Sequence, residues 1–62
     1  MDYEVGDTIV YSPFGGGERV VLVDEKEADI KNGRPGFGGT IVGEGMGVWG
    51  YDSQIVRVEA RA

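Results

Sequence analysis

The 62 residues carry eleven acids and six bases, for a formal net charge of −5, and contain no cysteine and no histidine. Those counts exclude disulfides, thiolate or imidazole zinc sites, and every Ser-His or Cys-His catalytic pair. A chain this short makes one domain, residues 1–62, which buries only about 60% of its unfolded surface, and its acid excess opposes approach to a phosphate backbone.

The N-terminus, Met1-Asp2-Tyr3-Glu4, is acidic and has neither a basic leader nor an apolar stretch behind it. The longest uninterrupted aliphatic run is Val20-Val21-Leu22-Val23, far short of a membrane span. A cytoplasmic location is therefore expected. Charge is uneven along the chain. Residues 1–31 hold eight acids and three bases, and residues 32–62 three of each. The acids are densest at Asp24, Glu25, Glu27 and Asp29. That run reads first as a solvated strand end and loop, and second as an acidic patch for a basic partner.

The twelve glycines separate short segments rich in Val, Ile, Tyr and Trp, the punctuation of an all-β chain. Five strands are expected. The first covers Thr8 to Ser12, after a turn at Val5-Gly6-Asp7. A glycine loop, Pro13 to Gly17, leads to the second strand, Glu18 to Glu25. Its continuous apolar core predicts cover on both faces. A long connection from Lys26 to Gly36 follows, with turn dipeptides at Asn32-Gly33 and Pro35-Gly36. The third strand is Phe37 to Glu44. Gly45-Met46 then fits the two central residues of a type II′ hairpin turn. The fourth strand is Gly47 to Gly50, Tyr51 to Gln54 suits a 3₁₀ turn, and the fifth strand is Ile55 to Glu59. Ala60 to Ala62 is expected to fray.

This pattern resembles a five-stranded SH3-like barrel with a 3₁₀ turn before the last strand. The opening Val5-Gly6-Asp7-Thr8-Ile9-Val10-Tyr11 is similar to the first strand of such barrels. Val48 to Val58, through Trp49-Gly50-Tyr51-Asp52-Ser53-Gln54, is similar to their last two strands and the turn between them. Asp29 to Phe37, taken with Val48 to Asp52, also resembles a family of small uncharacterised proteins of actinobacterial phages. That second resemblance implies a phage accessory protein working in a host cytoplasm, and it implies no activity.

Gly45-Met46-Gly47-Val48-Trp49-Gly50 matches G-x-G-x-x-G, but no βαβ unit surrounds it, so it reads as hairpin glycines. No phosphate loop is present. Asp24, Glu27 and Asp29 lack the order of a calcium loop. No catalytic residue, metal ligand or cofactor site is assigned, and the chain reads as a non-enzyme. The aromatic residues are more informative, because six large rings exceed what so small a core encloses. Trp49 and Tyr51 share a strand face, and Trp49 reads either as core or as part of an exposed shelf. The loop Lys31 to Phe37 holds two bases and no acid. Arg34 on that stiff turn either presents a fork to a carboxylate or phosphate, or pairs internally with Asp52 or Glu44.

The expected function is a binding module that takes a protein partner through Lys31, Arg34, Phe37, Trp49 and Tyr51. SH3-like barrels commonly bind beside their long loops and 3₁₀ turn, so the resemblance implies the same place. Two alternatives stand beside it: a nucleic-acid-binding barrel that uses Lys31, Arg34 and Arg57, which the charge disfavours, and an acidic decoy of a basic host site. No membrane partner is expected, and self-assembly through an exposed strand edge stays open.

Overall fold

The structure, a computed structural model, describes residues 2–62. Five strands and one 3₁₀ turn follow in chain order: β1 (Thr8–Tyr11), β2 (Arg19–Lys31), β3 (Arg34–Ile41), β4 (Gly47–Tyr51), the turn Asp52–Gln54, and β5 (Ile55–Ala60). All pairings are antiparallel and form one sheet in the order β4-β3-β2-β1-β5. The chain is all-β, and its 3₁₀ turn carries it from one edge strand to the other.

β2 organises the sheet. Its first residues pair with β1 (Ile9↔Val21) and its whole length serves β3 (Val21↔Ile41 to Lys31↔Arg34). The register shifts at Asp24, so Val23 faces Gly39 while Glu25 faces Gly38. An extra residue in one strand twists it and resets which side chains point inward. Here it leaves Val21 and Val23 in the core and turns Glu25 outward.

Two expectations are corrected by this strand. The aliphatic run is not covered on both faces: Val21 and Val23 are buried, while Val20 and Leu22 are exposed. The connection from Lys26 to Gly36 is mostly strand, not loop. It is a hairpin closed by Asn32-Gly33, both in the left-handed region at φ 59° and 72°. A two-residue turn of that kind matches the strand twist. The Asp29 carboxylate accepts the Gly33 N–H at 2.8 Å and stiffens the tip.

The β3–β4 connection also differs from the expected two-residue turn. It spans Val42 to Met46. The Ile41 N–H bonds the Met46 carbonyl, and the Ile41 carbonyl accepts from both Glu44 and Gly45. Gly45 takes the positive φ that the expected turn also needs, but Gly43 takes one as well, which a two-residue turn at Gly45-Met46 does not require.

The core gathers Tyr3, Ile9, Tyr11, Val21, Val23, Phe37 and Ile41, with Val48, Ile55 and Val58 packed against them. Phe37 is its centre at 0% exposure. Tyr11 and Tyr3 meet its ring edge-on, at 5.2 and 6.3 Å between centroids. Such pairs add about 0.5–1.5 kcal/mol each to the burial of the rings. The Tyr3 hydroxyl donates to the Asp52 carboxylate at 2.5 Å. Burial, with that carboxylate, pushes the Tyr3 phenol well above its ordinary range.

Asp7 fastens the two termini. It is 3% exposed and accepts from the Glu4 N–H at 2.9 Å, the Ala62 N–H at 2.9 Å and the Arg61 guanidinium at 3.2 Å. The expected fraying of Ala60 to Ala62 is thereby corrected. Ala60 is the last residue of β5, opposite Thr8, and the two residues after it are tied to Asp7.

Candidate functional site

One end of the sheet collects aromatic and cationic side chains from four parts of the chain. In register, Gly38 pairs with Trp49 and Gly36 with Tyr51. Phe37, between those glycines, points into the core. Trp49 and Tyr51 therefore stand on the opposite, outer face. Trp49 is 48% exposed, and its ring meets Tyr51 edge-on at 5.5 Å. Tyr51 is 7% exposed because its neighbours cover it. Phe14, at the tip of the β1–β2 loop, lies 6.5 Å from Tyr51 and is itself 81% exposed.

The β2–β3 hairpin brings the charges. The Arg34 guanidinium lies over the Tyr51 ring at 4.1 Å, and its Nη2 donates to the Ser53 hydroxyl at 3.0 Å. The Lys31 ammonium lies over Trp49 at 5.5 Å. Asn32 donates to the Tyr51 hydroxyl at 3.1 Å. The Tyr51 N–H in turn donates to the Gln54 side chain at 2.9 Å, which locks β4 onto the 3₁₀ turn. Tyr51 and Arg34 are thus held in place by hydrogen bonds, and Lys31 and Trp49 by ring contacts.

What these cations lack is an acid. Among the described residues, Lys26, Arg57 and Arg61 each pair with a carboxylate, while Arg19, Lys31 and Arg34 pair with none; Arg19 donates to the Glu18 carbonyl, and Lys31 and Arg34 lie on rings. Neither internal pairing expected for Arg34, with Asp52 or with Glu44, is formed; its partner is the neutral Ser53 hydroxyl. A cation on an aromatic face keeps its remaining N–H groups free to meet an anion.

Four of the five expected binding residues, Lys31, Arg34, Trp49 and Tyr51, come together here. Phe37 does not. It is the buried centre of the core, because it shares a face of β3 with Ile41, which pairs with the buried Val21. Three contributors were not assigned from sequence: Phe14, Asn32 and Ser53. Phe14 carried a signal, since a large ring in a loop of glycines has nothing local to bury it.

The acids take a separate row. Glu25 and Glu27 oppose Gly38 and Gly36 on the outer face, one strand beyond the rings. Among the described residues no three acidic side chains converge into a metal-binding group, and no pocket indents the surface. No described helix is long and apolar enough to cross a membrane. Compared with known proteins, the chain matches no family model, no curated protein and no solved structure.

Proposed function

We propose that this chain is a small, non-catalytic binding module that takes a protein partner on the shelf formed by Phe14, Trp49 and Tyr51, with Lys31 and Arg34 as the charged anchors. The strand order and the 3₁₀ turn before β5 support the SH3-like reading. The shelf then lies between the β1–β2 loop, the β2–β3 hairpin and that turn. The observation that carries the proposal is the pair of cations. In a chain with eleven acids, Lys31 and Arg34 lie on aromatic rings with no carboxylate partner among the described residues. An aromatic platform beside unpaired, oriented cations suits a polypeptide carrying apolar groups and a carboxylate. A shelf without a pocket suits a polypeptide better than a small substrate.

The neighbouring row of Glu25 and Glu27 weighs against a nucleic-acid strand, whose phosphates would pass beside those carboxylates. Affinity capture from host-cell lysate separates the readings. It compares wild type, Arg34→Glu and Trp49→Ala, each with and without nuclease. Capture of a protein by wild type, lost in both variants and indifferent to nuclease, supports the proposal once both variants are shown to be folded. Capture that vanishes with nuclease replaces it with nucleic-acid binding.

A further inference from the structure

The two edges of the sheet are defended differently. β5 carries exposed charges at Arg57 and Glu59, and its pairing with β1 is interrupted by two register shifts. Charges and bulges on an edge discourage another strand from adding to it. The β4 edge has neither device. From Gly45 to Tyr51 there is no charge and no proline, and the β3–β4 register runs without a shift.

The backbone groups facing outward on β4 can be named. The Ile41 N–H donates to the Met46 carbonyl, so Met46 and then Val48 and Gly50 direct their backbone groups at β3. Gly47, Trp49 and Tyr51 direct theirs away. The Tyr51 N–H is already taken by Gln54. Gly47 and Trp49 remain, each offering a donor and an acceptor, and among the described residues neither bonds the backbone of a loop or turn.

We infer that this edge pairs with the same edge of a second copy, antiparallel about a two-fold axis at Val48. In that register the Gly47 N–H and carbonyl of one copy meet the Trp49 carbonyl and N–H of the other, and the axis repeats the set. The side chains fit the same register. Each Trp49 ring lies opposite a glycine, which leaves room for it, and aromatic residues are known to cover edge glycines across a strand pair. Charge allows a second copy: Gly45 to Tyr51 is neutral in a chain of net −5, so the paired segment sets no acid against acid, and Glu44 and Asp52, which the register brings toward each other, lie outside β4. The pairing uses the backbone of Trp49 and is independent of the shelf; it sets the two shelves side by side on one face.

Chemical synthesis allows a test that touches only the edge. Sedimentation equilibrium is run on the full chain and on a Gly47→N-methylglycine chain over a wide concentration range. The wild-type mass is expected to rise from one chain to two. The N-methyl group deletes one outward donor per copy and leaves the β3 ladder intact. It is expected to weaken association about tenfold or more, from the loss of two hydrogen bonds per dimer. A mixed-isotope sample reads the register directly, through cross-peaks between the Trp49 indole of one copy and the Gly47 α-protons of the other. That measurement stands alone if the N-methyl chain does not fold. A one-chain mass throughout, association indifferent to the N-methyl group, or a dimer without those cross-peaks overturns the inference.

Discussion

Asp7 shows how much a single side chain does in so small a molecule. Its carboxylate satisfies the Glu4 N–H of the N-terminal turn and the Ala62 N–H at the C-terminal end, and it is buried there. The Glu4 and Ala62 N–H groups, and then Arg61, hold its pKa below the ordinary 3.8. A folded value depressed in this way gives stability that is present above 3.8 and lost as pH falls through the folded value. Urea melts across an acid series are expected to show wild type losing stability in that window. Asp7→Asn is expected to be less stable at neutral pH and to show a weaker acid loss, because the amide has no charge to protonate. An unchanged acid slope in Asp7→Asn would place the acid sensitivity elsewhere.

At the scale of the element, the glycines of β3 divide by what lies over them. A methyl on Gly39 would strike the Leu22 carbonyl oxygen and come 2.7 Å from Val21 Cγ1, both fixed parts of β2. A methyl on Gly38 would meet chiefly the Glu25 carboxylate at 2.8 Å, the free end of a flexible side chain on the outer face. Gly39→Ala is therefore expected to cost about 1–3 kcal/mol by overpacking. Gly38→Ala is expected to be near neutral, since displacing Glu25 is offset by about 0.4–1 kcal/mol from a stiffer unfolded chain. Denaturant midpoints of the two variants check this, and equal losses would mean that the register shift at Asp24 is not where it is described. The same outer face underlies the shelf: Gly36 and Gly38, without side chains, let Trp49 and Tyr51 lie low on the sheet beside the hairpin cations.

For the whole molecule the margin is narrow. Stability of a chain this size is of order 3–9 kcal/mol. Phe37→Ala is expected to cost about 3–5 kcal/mol, a large share of that margin. Trp49→Ala, at a half-exposed ring with one edge contact and one cation above it, is expected to cost about 1–2 kcal/mol and to leave the fold intact. Thermal melts of the two variants thus separate the core ring from the shelf ring. A Phe37→Ala chain that melts no lower than Trp49→Ala would contradict the central place of that ring in the core. The acid excess spreads over β2 and the termini, and the Glu25 and Glu27 row borders the shelf on the same outer face, so the proposed contact surface is a local cationic patch in an acidic molecule.

Much of this was legible in the chain. The all-β class, five strands and the 3₁₀ turn follow from local chemistry, because aliphatic and aromatic runs between glycines act over a few residues. Asn32-Gly33 was visible as a turn for the same reason, and the cationic pair flanking it was visible as a candidate site. The polar half of β2, Asp24 to Lys31, was not visible as a strand. Asp, Glu and Lys have little strand preference of their own, and it is the β3 ladder that holds them. Strand parity was hidden too. The pairing of Ile41 with Val21 turns Phe37 inward, the shift at Asp24 turns Glu25 outward, and no composition reveals either. The pinning of the C-terminal residues by Asp7 spans 54 and 55 positions. By itself the sequence determined which short segments would extend and where they would turn, since those are nearest-neighbour properties. The tertiary structure alone decided which ring became core and which became surface, because that depends on the register between strands distant in the chain.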